Sequence, residues 1–184
     1  DRGIVTERAS DGTVIRMTGT HTDIDTEKRI SQVLQRNERI LQESERISQI
    51  GSWEYLPQSD AHYWTAGIYR IYGRKESLPP ANISEVAQYF EPTSWKKLLQ
   101  NINQAVETGA PYECDAEVIR PDGEHRWITA RGEAVLDTEG VLINLRGTVQ
   151  DVTAQHQSEQ RLEHLALHDA LTGLPNRTLL FARL

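Results

Sequence analysis

Cysteine is nearly missing from this sequence: Cys114 is the only thiol in 184 residues. No internal disulfide can form, which suits a reducing compartment and excludes the disulfide-stapled class of small secreted domains. Long apolar runs are missing too. None approaches the roughly 20 residues that a membrane-crossing helix needs, and no charged-then-apolar leader opens the chain. A cytoplasmic setting is therefore expected, with any membrane anchor of a parent protein lying outside this stretch. The chain begins at Asp1 and stops at Leu184 inside an apolar run, so it reads as a piece of a longer one. Basic excess is also lacking: 20 Lys and Arg face 27 Asp and Glu, a net charge of −7. Binding to nucleic acid depends on cations that replace phosphate counterions, so nucleic acid is not expected as a partner. There is no Gly-rich phosphate loop and no nucleophile–base constellation. No catalytic residue is expected, and this stretch does not read as an enzyme.

What the chain does contain converges on residues 119–153. Arg120-Pro121-Asp122-Gly123 and Asp137-Thr138-Glu139-Gly140 are turn sequences, with Gly accepting the positive φ of a short hairpin. Residues 125–135 and 141–151 are rich in β-branched and aromatic side chains, so a three-strand meander is expected. Its first strand, 112–119, alternates Tyr112, Cys114, Ala116 and Val118 against Glu113, Asp115 and Glu117. Two earlier strands, 52–56 and 61–65, flank the turn Pro57-Gln58-Ser59-Asp60.

Between these groups the periodicity is helical. A short helix over 66–72 closes on Gly73, and Asn82 with Glu85 opens another over 83–90 in the manner of a capping box. Pro92 suits a first helical position. Residues 95–108 carry the stripe Trp95, Leu98, Leu99, Ile102, Ala105 and Val106, and Gly109 closes that helix. Two strands, several short helices and three strands make an α+β domain rather than a parallel βαβ one.

The flanks are simpler. Residues 1–24 read as strand, Asp11-Gly12 turn and strand. Gly19-Thr20 and Asp23-Ile24 correspond to Gly147-Thr148 and Asp151-Val152 at one common spacing, which suggests tandem copies of one module. A helix is expected over 25–50, opened by Asp25 and Glu27 and ended by Gly51. Its apolar residues Ile30, Val33, Leu34, Ile40, Leu41, Ile47 and Ile50 fall near heptad spacing, with Asn37 interrupting one column. Two readings stay open: packing on its own domain, or a parallel dimer stalk. A second helix over 154–168 carries the sparse stripe Leu162, Leu165 and Ala166.

Ile50-Gly51-Ser52-Trp53-Glu54, Tyr63-Trp64, and Ile68-Tyr69-Arg70-Ile71-Tyr72-Gly73 occur in that order. Arg120 to Trp127, Ala130-Arg131-Gly132, and Gly147-Thr148-Val149-Gln150-Asp151-Val152-Thr153 follow. Together they resemble a PAS domain of the kind with a GSWE-type first strand. The resemblance implies a five-stranded antiparallel sheet with short helices on one face over 51–153. It makes 1–24 the tail of a preceding PAS domain, 25–50 a linker helix and 154–168 a signalling helix. Glu91-Pro92-Thr93-Ser94 departs from the usual His-Pro-Asp-Asp, a change expected to alter a helix cap and not the fold. Asp169-Ala170-Leu171-Thr172-Gly173-Leu174-Pro175-Asn176-Arg177 resembles the entry motif of GGDEF domains, cyclases that join two GTP into cyclic di-GMP. Residues 169–184 would then begin such a domain. GTP and Mg²⁺ belong only to the part that is missing, and no cofactor is expected here.

These resemblances imply a signal path through Asp151, Val152 and Thr153, with Thr153 or Asp151 capping the next helix, and on to Asp169, Thr172, Asn176 and Arg177. The residues placed at a small-molecule pocket are Trp53, Tyr55, Tyr63, Ile71, Tyr72, Phe90, Cys114, Ala116 and Ile128. Aromatics like these also simply fill the core of a domain this size, and sequence leaves that choice open. Arg70, Arg126 and Arg131 are expected to pair across strands with Glu117, Glu124 or Glu133. His164 and His168 are four apart but lack a third ligand, so no metal is expected. Cys114 lies in an alternating strand, not in the helical Asn-Cys-Arg context of flavin-binding relatives, and reads as a small buried hydrophobe. His62 and His125 fall in strands or turns, which speaks against haem. The function implied is a sensory and transmission module of a bacterial cyclic di-GMP signalling protein, acting as a homodimer. The alternative is a constitutive dimerisation scaffold that binds no ligand.

Overall fold

The structure, a computed structural model, describes residues 2–20, 25–167 and 176. It divides into two units, Asp1–Gln42 and Glu43–Leu184. In the first, β1 (Arg2–Arg8) and β2 (Val14–Thr20) form an antiparallel hairpin. Its turn is built as the Asp-Gly pair dictates: the Asp11 carboxylate accepts from the Thr13 amide at 2.9 Å, and Gly12 takes φ +87°. Gly3 lies opposite Gly19 and Arg2 opposite Thr20. Asp23 and Ile24, the rest of the internal match, lie outside the described residues.

Helix α1 (Asp25–Ile47) leaves its whole apolar stripe, Ile30 to Ile47, exposed. It ends three residues before its expected end. Gln49, at φ 55°, turns the chain, and Ile50 and Gly51 already belong to a strand. No helix among the described residues is long and apolar enough to cross a membrane.

The second unit is an α+β domain around a five-stranded antiparallel sheet. Its strands are β3 (Ile50–Leu56), β4 (Ala61–Trp64), β5 (Tyr112–Ile119), β6 (His125–Leu136) and β7 (Leu142–Asp151). Their order is β4-β3-β7-β6-β5. In β6 and β7, Gly132 pairs with Gly147 and Arg131 with Thr148, the register that Gly3–Gly19 and Arg2–Thr20 show in the first unit. On β5 the alternation is as read: Tyr112, Cys114, Ala116 and Val118 are buried, whereas Glu113 and Asp115 are exposed.

That buried face meets α2 (Ala66–Tyr72) and α4 (Pro92–Thr108), giving a core of Ile68, Ile71, Tyr72, Leu98, Ala105, Val118, Ile128 and Val149. Each large aliphatic buried there contributes roughly 1.5–3 kcal/mol. Helix α2 sits on β3 backbone to backbone. A Cβ on Gly51 would stand 2.2 Å from the Ile68 amide nitrogen, and one on Gly67 would stand 2.2 Å from the Ile50 carbonyl oxygen. Gly51 is therefore a contact glycine rather than a helix stop.

The expected helix over 83–90 is interrupted. α3 (Ile83–Val86) passes into a 3₁₀ turn (Ala87–Tyr89), and Phe90 is extended and bridged to Val118. Burying the Phe90 ring in the core pulls the chain out of helical geometry there. Asn82 caps α3 through the Glu85 amide at 3.0 Å, but the Glu85 carboxylate turns to Arg74 instead of closing the box. Glu91 opens α4: its carboxylate accepts from the amides of Thr93 at 2.8 Å and Ser94 at 3.0 Å. The Thr93 hydroxyl, which also donates to this carboxylate, holds its pKa below the usual value, helped by the Ser94 and Thr93 amides. Gly73 and Gly109 close α2 and α4 at φ 66° and 72°. The last element, α5 (Thr153–Leu167), leaves Leu162 and Leu165 exposed.

Candidate functional site

One row of paired residues crosses all five strands: Trp64, Trp53, Gly147, Gly132 and Tyr112. The two central glycines leave the middle of the row without side chains. A Cβ on Gly147 would come within 2.9 Å of the Trp53 ring, and one on Gly132 within 2.7 Å of the Tyr112 ring. Trp53 and Tyr112 therefore lean over the glycine pair from opposite sides. Beside this row, between sheet and helices, lies a cavity of about 550 Å³ to which Trp64, Trp53 and Tyr112 contribute and the two glycines do not, a volume within the range of small-molecule sites. The helices contribute Ile68, Tyr72, Trp95, Leu98 and Ile102, and the sheet contributes Trp53, Tyr55, Trp64, Tyr112, Ala130, Leu145 and Val149. Asp60, His62, Ala81, Asn82, Ile83, Ser84 and Val86 complete the lining. The Asp60 carboxylate is 84% exposed, 3.7 Å from the His62 ring, and Tyr55 stacks on that ring at 4.6 Å.

Four buried tyrosines surround this region and differ in their hydroxyls. Tyr69 donates to the Leu78 carbonyl at 3.1 Å, and Tyr89 accepts from Arg74 at 3.2 Å. Tyr72 and Tyr112 are 5% and 8% exposed and both line the cavity. Neither hydroxyl has a hydrogen-bond partner among the described residues. Burial pushes both phenols well above their usual pKa, helped by Tyr112 and Tyr89 at Tyr72 and by Cys114 at Tyr112. Both therefore stay protonated donors.

A second arrangement sits where β7 ends. The Asp151 side chain is 8% exposed. Its amide donates to the Gln49 carbonyl at 2.9 Å, and its carboxylate accepts from the Thr153 amide at 2.9 Å and from Arg126 at 3.0 Å. Arg126 also contacts Glu124 at 2.8 Å. Burial opposes the Arg126 charge, but Glu124 and Asp151 outweigh it and raise its pKa. The neighbouring strand is tied in through Trp127. Its carbonyl accepts from the Val152 amide at 2.9 Å, its amide donates to the Thr153 hydroxyl at 2.9 Å, and its ring stacks on His156 of α5 at 4.1 Å. The helix cap thus falls to Asp151, because the Thr153 hydroxyl is engaged by Trp127. The chain entering β3 and the chain leaving β7 meet at one residue, Asp151, the first through its amide and the second through its carboxylate.

Of the residues read from sequence as pocket-lining, Trp53, Tyr55 and Tyr72 reach the cavity. Ile71, Phe90, Cys114, Ala116 and Ile128 do not; each is at most 5% exposed and packs into the continuous core. Burial pushes the Cys114 thiol up, which keeps it a protonated small hydrophobe. Tyr63 is 54% exposed, because β4 alternation turns it to the opposite sheet face beside Glu54. On that face Arg131 pairs with Glu113, Arg146 with Glu133 and His125 with Glu117, so the acid taken by Arg131 differs from the one expected.

Asp151, Val152 and Thr153 come together at the joint described above. Asn176 donates from its amide to Leu167 at 2.8 Å and from its side chain to Ala166 at 2.7 Å, two carbonyls at the end of α5. Asp169, Thr172 and Arg177, like His168, lie outside the described residues. Trp64, Trp95 and Tyr112, aromatics that the sequence leaves open between pocket and core, also reach the cavity. Missing from the sequence reading were Gln49, Arg126, Trp127 and His156 at the joint.

The PAS fold family matches residues 61–149. The uncharacterized protein y4lL of Sinorhizobium fredii (strain NBRC 101917 / NGR234) is 24% identical over 182 residues, covering 95% of this chain and 22% of that protein. The chain thus spans about a fifth of the length of that curated relative. Among solved structures, a sensory box histidine kinase/response regulator from Burkholderia thailandensis E264 superposes with a TM-score of 0.56 at 24% identity, over 67% of this chain and 92% of that one. The N-terminal domain of a diguanylate cyclase with PAS/PAC sensor from Marinobacter aquaeolei superposes with a TM-score of 0.51 at 21% identity, over 58% and 98%. At these identities both are likenesses of fold.

Proposed function

With residues 61–149 forming a PAS domain, a sensory module, we propose that this chain senses a small ligand and transmits its presence to a C-terminal GGDEF diguanylate cyclase in a bacterial cyclic di-GMP signalling protein. The observation that carries the reading is the Asp151 joint, where one carboxylate and its own amide connect the end of β7 to the starts of β3 and α5. Trp53 and Val149 line the cavity on β3 and β7, which pair directly up to Ile50 and Gln150. Occupancy of the cavity presses on the two strands that meet at the joint.

Further features support the rest of the proposal. The apolar stripe of α1 is exposed along its length and suits a dimer stalk. The Gly3–Gly19 register, repeated at Gly132–Gly147, supports reading 1–24 as the tail of an earlier copy of the module. Residues 169–177 carry the GGDEF-like entry sequence, and the Marinobacter neighbour is the N-terminal domain of a diguanylate cyclase. Signalling is then a population shift of the dimer. Turning a 1:99 equilibrium into 99:1 takes about 10⁴-fold tighter binding to one state, or about 5.5 kcal/mol.

The test is cyclic di-GMP formation from GTP by the longer protein that contains this module. Asp151→Ala is expected to retain basal synthesis and lose its response to cavity occupancy. Output unchanged both by Asp151→Ala and by filling the cavity with Ala130→Leu would leave the constitutive, ligand-free scaffold as the reading.

A further inference from the structure

The lining of the cavity restricts what can enter it. No Lys or Arg contributes to it. An anion moved there from water would lose several kcal/mol of hydration with no cation to offset it. The one carboxylate, Asp60, belongs to the turn between β3 and β4 and is too exposed to hold a buried cation. Much of the wall is flat rings: Trp64 and Tyr72 lie 5.5 Å apart and inclined at 58°, and Trp53, Tyr55, Trp95 and Tyr112 add further rings. Ring walls with aliphatic side chains between them favour a planar, largely apolar body.

Among the polar groups of the lining, which include His62, Asn82 and Ser84, the Tyr72 and Tyr112 hydroxyls are donors on buried residues with no partner among the described residues. A ligand oxygen or nitrogen there supplies the acceptor that the described part of the protein does not. Tyr69 and Tyr89, whose hydroxyls are paired within the protein, show that the fold supplies partners where no ligand is awaited.

Resting on the sensor reading above, we infer that the cavity takes an uncharged, planar, ring-bearing molecule that presents a hydrogen-bond acceptor, such as a ring carbonyl, to the hydroxyls of Tyr72 and Tyr112. The raised pKa of both phenols keeps the donors in place across the physiological range.

The test uses the 184-residue chain and four probes, read by quenching of tryptophan fluorescence and by calorimetry. Coumarin is neutral with a ring carbonyl, coumarin-3-carboxylate is its anion, naphthalene lacks an acceptor, and phenyltrimethylammonium is a cation. Coumarin is expected to bind best. Tyr72→Phe and Tyr112→Phe, which keep the rings and so the packing, should each weaken it about three- to tenfold, the value of one net hydrogen bond. Naphthalene affinity should not change in either variant. Tighter binding of the anion or the cation, or coumarin affinity untouched in the double Phe variant, overturns this ligand class and leaves the pocket itself standing. Failure of all four probes to bind overturns the ligand class and the sensor reading together.

Discussion

Gly51→Ala tests the packing that holds the cavity open. The Cβ it adds would lie 2.2 Å from the Ile68 nitrogen and 2.5 Å from the Gly67 carbonyl carbon, where ordinary contact starts at 3.4 Å. Both obstacles are backbone atoms, so no rotamer change relieves them, and α2 must retreat from β3 by roughly 1 Å in a densely packed core. Overpacking of this kind costs about 1–3 kcal/mol, and a backbone obstacle places this substitution at the upper end. For a domain of about 100 residues, 3 kcal/mol lowers Tm by roughly 10–20 °C. Gly140→Ala is the control: its φ is positive at +81°, unlike that of Gly51, and nothing lies within 4 Å of its Cβ. It should cost only the strain of the left-handed conformation, about 1–2 kcal/mol. Urea titrations followed by tryptophan fluorescence give both numbers. A Gly51→Ala variant within about 0.5 kcal/mol of wild type would refute the backbone-on-backbone seating of α2.

Three other outcomes are expected. Asp151→Ala leaves the Thr153 amide without its acceptor and Arg126 with Glu124 alone, and should destabilise by about 2–4 kcal/mol; Asp151→Asn, which keeps an acceptor for Thr153, should fall between it and wild type in the same titration. Glu91 has a depressed carboxyl pKa, so its cap contributes fully above the ordinary value of 4.5 and is lost as pH falls through the lower folded value. The stability gap between wild type and Glu91→Gln, measured by thermal melts across pH, should therefore persist above about pH 4.5 and close below it. Asn37→Leu restores the interrupted column of α1 and should strengthen or re-register self-association in analytical sedimentation; unchanged sedimentation would remove the stalk.

The strands and their order were legible because turn chemistry marks them. Asp11-Gly12, Asp122-Gly123 and Asp137 to Gly140 each fall at a turn, with Gly12, Gly123 and Gly140 at positive φ. Helix ends at Gly73, Gly109 and Pro92 were legible for the same local reasons. The end of α1 was not, since Gly51 reads as a stop until its contact with Gly67 is seen. The break at Phe90 was hidden because burial of one ring overrode a good local cap at Asn82. Tyr63 was misplaced because two neighbouring aromatics in one strand cannot share a face. The cavity gathers residues as far apart as Trp53 and Val149, and the joint draws Gln49 and Arg126 to Asp151 across 102 and 25 residues of chain. Neither juxtaposition is local, so neither leaves a local pattern.

The central claim is that filling the cavity is felt at Asp151. Amide NMR of the 184-residue chain during a coumarin titration measures this directly. The account predicts that Trp127, Asp151, Val152 and Thr153 shift with the same midpoint as the cavity residues Trp53 and Val149, and that Asp151→Ala silences the joint while the cavity still responds. Shifts confined to the cavity, with the joint unmoved in the wild-type chain, would contradict it.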